Sequence, residues 1–186
     1  MTVTRLKGIG YCARIGKVGD WALNFALALA REHDVRLNIF FFPAQPCNEH
    51  PSRGRHGERS RLSEQEKIDL EREVRVYYDD RLGEYDNVGF RLCEGDEDPE
   101  LRRCLIVRED YDILVLAYEH YRCAFGRQPI ESFAESMPCP TVLVGPERED
   151  QVYYNSPASL WRHRVGLKDS EWHPIGEASI EEGFRN

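Results

Sequence analysis

Residues 111–145 constrain the fold more than any other stretch of this chain. Tyr111 to Ala117 and Pro138 to Gly145 are two apolar runs rich in branched side chains. The segment between them is long enough for one crossover helix, predicted over 129–136. Two such runs joined by a helical crossover make a βαβ unit with parallel strands. In an open parallel sheet, ligands sit where loops leave the carboxyl ends of the strands. The loop following the first run, 118–128, is therefore the first place to look for a site.

The rest of the chain repeats this alternation. Leu6–Arg14 reads as a first strand, weakened by two glycines. Asp20 is placed to cap a helix over 21–33. On that helix Ala22, Phe25, Ala26, Leu29 and Ala30 recur at helical spacing and form one apolar face. Val35–Phe42 is a second strand, stopped by Pro43. A long irregular stretch follows, 43–61, holding Arg53, Arg55, Arg59, Arg61, His50 and His56. Ser63 and Glu66 have capping-box spacing and open a helix that ends near Gly83. Its buried face is expected to be Leu70, Val74, Tyr77, Tyr78 and Leu82. Asn87–Glu94 alternates as a third strand, and Asp98 with Pro99 signals a helix start. This β-α-β-α-β-α-β-α-β pattern predicts an α/β, doubly wound, Rossmann-like sheet with helices on both faces. Its strand order reverses beside the first strand. That reversal opens a crevice between the carboxyl ends of strands one and four.

Composition excludes some function classes. The 186 residues carry a net charge of −8, against the basic face that nucleic acid requires. No apolar run approaches a membrane span, and the first residues lack the layout of a signal peptide, so a cytoplasmic protein is expected. Cys12, Cys47, Cys93, Cys104, Cys123 and Cys139 fall largely within apolar runs, as buried thiols do. Residues 147–186 differ from what precedes them. They contain Tyr153, Tyr154, Trp161, Trp172 and Phe184 and no run that reads as a strand. Two units follow: an α/β domain over 1–146 and an aromatic-rich C-terminal extension over 147–186. The extension packs on its own domain or reaches across a subunit interface.

Several short phrases resemble the universal stress protein family. They are Glu94-Gly95-Asp96, Asp98-Pro99-Glu100-Leu101, Tyr111 to Leu116, and Met137 to Val144, in the family's order. The helix from Trp21 to Ala30 resembles that family's opening helix. The resemblance covers about residues 5 to 146. It implies a three-layer α/β/α arrangement around a five-stranded parallel sheet of order 3-2-1-4-5. It also implies homodimers joined through the last strand, here Thr141, Val142, Leu143 and Val144, and, in one branch, ATP or AMP binding. That branch ends its first strand in Asp-Gly-Ser and follows its fourth with a glycine-rich cradle closed by a hydroxyl. Here Arg14 stands at the Asp position, Ala117 and His120 replace the first two glycines, and Gly126-Arg127-Gln128 falls where the last Gly-Ser pair would lie. Bulky side chains at 118–122 and the charge of Glu119 disfavour ATP or AMP in the family's usual pose.

Other chemistries can be set on the same loops. Arg14, Lys17, Arg122 and Arg127 could converge on an anion, since guanidinium groups hold phosphate or carboxylate without glycines. Gly16, Phe42, Ala117, Tyr118, His120, Gly126 and Gln128 would complete that crevice. Cys47 with His50, and His120 with Cys123, have spacings that zinc tolerates. Cys123 beside His120, or Cys139, could serve as a thiol nucleophile, with Glu119 the one carboxylate at hand to orient the imidazole. The expectation is a universal-stress-protein-like, non-enzymatic binding or regulatory module taking a small anionic ligand, or a nucleotide in an altered pose. The alternatives are a nucleotide-dependent enzyme of the wider nucleotide-binding α/β group and a zinc-dependent structural switch.

Overall fold

A computed structural model describes residues 5–43, 62–119, 125, 128–165 and 170–176. Five strands alternate with four helices: β1 (Gly8–Cys12), α1 (Lys17–His33), β2 (Arg36–Phe41), α2 (Glu64–Leu82), β3 (Val88–Leu92), α3 (Glu97–Ile106), β4 (Ile113–Ala117), α4 (Ile130–Ser136) and β5 (Thr141–Val144). The strands run parallel in the order β3-β2-β1-β4-β5. The order reverses beside β1, as the alternation predicts.

The sheet has seven strands, not five. Beyond β5 come β6 (Gln151–Tyr154), antiparallel to it, and β7 (Glu171–Pro174), parallel to β6. Between them lie a 3₁₀ turn (Ser156–Leu160) and α5 (Arg162–Val165). The residues after 147 thus hold two strands where the sequence suggested none. They also take up an edge expected to face a second copy. Val142, Leu143 and Val144 pair with Tyr154, Tyr153 and Val152 of the same chain. Thr141 accepts from the Asn155 amide on its carbonyl, at 3.1 Å. Exposed Val142 and Val144 on an open edge would template aggregation, and β6 removes that hazard.

Period-two alternation sends each strand's side chains to two apolar layers. Ile9, Tyr11, Leu37, Ile39, Ile113 and Val115 pack under α1 and α2. Cys12, Phe40, Leu114, Leu116 and Leu143 pack under α3 and α4. The expected apolar face of α1 is buried, and Leu23 and Leu27 are buried with it. The C-terminal strands add to the cover of that face at Phe25. Trp172 of β7 meets Phe25 edge-on, with ring centroids 5.6 Å apart.

The two glycines of β1 have a packing cause. A Cβ on Gly10 would lie 2.8 Å from the Tyr111 ring, and one on Gly8 2.6 Å from the Asp110 carbonyl. Tyr111 is buried against the strand and donates its hydroxyl hydrogen to the Leu101 carbonyl at 2.7 Å.

Helix starts were legible to different degrees. The Ser63–Glu66 capping box forms as expected: Ser63 Oγ accepts from the Glu66 amide, and Glu66 Oε2 accepts from the Ser63 amide at 2.8 Å. On α2, Val74, Tyr78 and Leu82 are buried, while Leu70 and Tyr77 are half-buried. Ser63→Ala is expected to cost about 1 kcal/mol, measured by urea unfolding. Helix α1 begins three residues before the expected cap, at Lys17, with Gly16 as its N-cap. Asp20 lies inside the first turn instead. Helix α3 begins at Glu97, so Asp98 is not its cap. Pro99 is tolerated there because the first four amides of a helix have no intrahelical acceptor. The Asp98 carboxylate holds Arg102 one turn along.

Candidate functional site at the strand reversal

The crevice between β1 and β4 is built from the loop after each strand. Gly19, in the first turn of α1, sits so close to the chain leaving β1 that a Cβ would lie 1.8 Å from the Arg14 carbonyl oxygen. Tyr11 fixes the same corner: its hydroxyl accepts from the Arg14 amide at 3.2 Å and donates to the Gly19 carbonyl at 2.9 Å. Burial pushes the Tyr11 phenol upward, so it remains a neutral donor.

Arg14 is buried at the end of β1. Its Nη1 lies 3.3 Å from Glu119 Oε2; the Arg14 side chain is 5% exposed and that of Glu119 27%. A buried guanidinium requires a counter-charge. Here the chain provides one, from the second residue beyond β4. From sequence Glu119 was expected to repel phosphate. The fold also brings it onto Arg14.

The other candidate residues divide. Lys17 is exposed and its ammonium lies 5.0 Å from the Trp21 ring centroid, a cation–π contact of its own. Gly16 is exposed, and its amide donates to the Tyr77 hydroxyl at 3.3 Å. Ala117 is buried in the α1 layer, whereas Phe42 and Tyr118 are buried in the α3–α4 layer. Tyr118 donates its hydroxyl hydrogen to Glu131 and meets Tyr153 of β6 edge-on at 5.3 Å. Gln128 lies beside α3, its Nε2 3.5 Å from Asp98 Oδ2. His120, Arg122, Gly126 and Arg127 lie outside the described residues, as do Cys47, His50, Cys123 and the arginines of 53–61. Among the described residues, no three His, Cys, Asp or Glu side chains are grouped to hold a metal ion.

Asp20 was missed as a site-forming residue. Its Oδ1 accepts from the Tyr77 hydroxyl and from Arg81 Nε, both at 2.8 Å, and its Oδ2 accepts from Arg81 Nη2 at 3.2 Å. Arg81 also lies over the Tyr77 ring, 3.5 Å from its centroid. This fork ties the first turn of α1 to α2 and fixes the loop that carries Gly16. Since all three groups are partly exposed, Asp20→Ala is expected to cost about 1–2 kcal/mol in urea unfolding.

Four cysteines lie in the α3–α4 layer: Cys12, Cys93, Cys104 and Cys139. Burial pushes the Cys93 thiol up to about 12 and that of Cys139 up to about 11, and it raises Cys104 as well. Such thiols carry little thiolate at neutral pH and are poor nucleophiles. Iodoacetamide at pH 7, mapped by mass spectrometry, should leave these four unlabelled in the native protein and label them in urea. Cys139 labelled under native conditions would refute this.

No protein-family model matches the chain, and no curated protein matches it. Solved structures do. Universal stress protein UspA from Lactobacillus plantarum superposes with a TM-score of 0.52 at 10% identity, over 76% of this chain and 99% of that one. A universal stress protein crystallised in complex with cAMP gives 0.50 at 15% identity, with the same coverage. Among the described residues no helix is long and apolar enough to cross a membrane. With its strand order, its two helical layers and these neighbours, the chain has the universal stress protein fold, extended by two strands.

Proposed function

We propose that this chain is a non-enzymatic binding or regulatory module of the universal-stress-protein type. Its crevice at the strand reversal accepts a small anion by exchange with Glu119. The observation that carries this reading is the Arg14–Glu119 ion pair, 3.3 Å long and closed over a buried guanidinium. A phosphate or carboxylate can replace the Glu119 carboxylate on Arg14 without leaving a buried charge unpaired. One structural neighbour was crystallised with cAMP, a single-phosphate ligand. ATP held in a glycine cradle is disfavoured, because Ala117 and Tyr118 are buried core residues here.

Isothermal titration with AMP, cAMP and ATP tests the reading. Wild-type protein should bind all three weakly. Glu119→Gln should tighten AMP and cAMP by about tenfold by removing the competing carboxylate. Glu119→Gln binding no better than wild type would sink the exchange. ATP turnover by purified protein that disappears in Arg14→Met would favour an enzyme instead.

A further inference from the structure

A cavity of about 300 Å³ opens between the C-terminal half of α2 and strands β2 and β3. Its floor is Ile39 of β2 with Val88 and Phe90 of β3, on the sheet face that α2 covers. Its wall is the end of α2. Arg75, Tyr78, Asp79 and Leu82 line it, and their spacing of three and four residues sets them on one helical face. The chain then turns at Gly83, where φ is 59°, and Tyr85 and Asp86 close the third side. These last residues precede β3, so the cavity lies toward the amino end of that strand, whereas the crevice lies at the carboxyl ends.

Three charged side chains line the cavity: Arg75, Asp79 and Asp86. Arg75 has its own counter-charge. Glu71 Oε1 accepts from its Nε at 2.9 Å, and its guanidinium lies 5.1 Å from the Phe90 ring centroid. Asp79 and Asp86 are exposed, and among the described residues neither makes an ion pair or a side-chain hydrogen bond. The surrounding segment has the same sign. Residues 79–86 also hold Asp80 and Glu84, and Arg81, the one base among them, is taken by Asp20. Arg31 stands close, donating to the Leu82 carbonyl at 3.0 Å and lying 5.9 Å from the Tyr85 ring centroid. That single guanidinium faces four carboxylates, so the mouth stays negative, and the C-terminal pole of α2 adds to it. Calcium and magnesium take six or more oxygen ligands. Among the described residues no three acidic side chains gather to supply them. Two unanswered carboxylates beside an apolar floor suit a cation that carries hydrocarbon.

We infer that this cavity binds a small aliphatic amine. Asp79 and Asp86 take the ammonium group, and the carbon chain lies along Ile39, Leu82 and Val88. The site goes beyond the crevice reading and uses none of its residues, so the two can fail separately.

Isothermal titration of the full chain with n-butylamine at neutral pH makes the test. Butylammonium should bind saturably, and n-butanol, which keeps the chain without the charge, should not. Ethylamine should bind about tenfold more weakly, because two methylenes leave the floor. Asp79→Asn combined with Asp86→Asn should weaken butylammonium by about tenfold or more. Both residues are exposed, so that variant should fold, and the chain-length series on wild-type protein makes an independent test. Glu119→Gln, which alters the crevice, should leave amine binding unchanged. Absence of saturable binding overturns the inference. So does butylamine binding no tighter than ethylamine, or binding indifferent to the double substitution, since either reduces the effect to attraction toward an acidic surface. Loss of binding in Glu119→Gln would put the amine in the crevice and overturn it too. Displacement of butylamine by equimolar magnesium would assign the carboxylates to a metal ion, with the same consequence.

Discussion

Replacing Asn155 with alanine should destabilise the protein by about 3–4 kcal/mol, lowering its melting temperature by about 10 °C. Asn155 is fully buried just beyond β6. Its Oδ1 accepts from the Thr141 amide at 2.9 Å and from the Ala158 amide at 3.1 Å. Its Nδ2 donates to the Ala134 carbonyl at 2.9 Å and the Cys139 carbonyl at 3.0 Å. One side chain thus satisfies backbone groups of α4, β5 and the 3₁₀ turn. Alanine would orphan the buried Thr141 amide and remove one bond each from the Ala158 amide and the Ala134 and Cys139 carbonyls, which keep the Asn155 carbonyl, the Met137 amide and the Thr141 hydroxyl as partners. The orphaned amide costs about 1–3 kcal/mol and each of the other lost bonds about 0.5–1, and water entering the space recovers part of that. Asn155→Asp preserves the acceptor and loses the donor, so an intermediate loss is expected. Urea unfolding at constant m-value is the measurement. A loss within about 0.5 kcal/mol of zero for Asn155→Ala would mean that the C-terminal strands are not anchored through this residue.

Gly19→Ala should also destabilise, by about 3 kcal/mol, although alanine is the better helix former. At an ordinary helical site the exchange would stabilise by about 1 kcal/mol. Here the added methyl would sit 1.8 Å from the Arg14 carbonyl oxygen, which is backbone and cannot rotate away. Relief requires α1 to move off β1, breaking the bond from the Tyr11 hydroxyl to the Gly19 carbonyl. The same movement would displace Arg14 from Glu119, so Gly19→Ala should perturb anion binding as well as stability. A Gly19→Ala protein as stable as wild type would show that the corner is looser than its geometry implies.

These two residues mark where sequence reading succeeds and where it stops. The βαβ periodicity, the strand order at the reversal and the Ser63 capping box follow from local pattern, and all appear in the structure. Gly19 was visible only as part of a glycine-bearing turn. Its need for close approach depends on where β1 ends in space. For Asn155 a local signal existed: Asn followed by Ser-Pro has the form of a helix cap with proline in the first turn. The five bonds its side chain makes span residues 134–158, which no local pattern could specify. Strand β6 escaped notice for a related reason. Gln151 to Tyr154 is only four residues long, too short for alternation to be counted.

Resemblance gave the fold correctly. It placed a homodimer contact on the last parallel strand, while the sequence also allowed residues 147–186 to cover that edge; in the structure β6 of the same chain pairs with β5. Asp20 shows a similar limit. A carboxylate near a helix start reads as a cap, but this one is held by Arg81 and Tyr77 from another helix.

By itself the sequence determined the alternation of elements, the parallel sheet and its reversal beside β1, because side-chain period and crossover length are local quantities. Tertiary structure decided that Arg14 meets Glu119 and that β6 closes the β5 edge. Those outcomes depend on which residues far apart in the chain come within a few ångströms, where burial turns a charge or an amide into a demand for one particular partner.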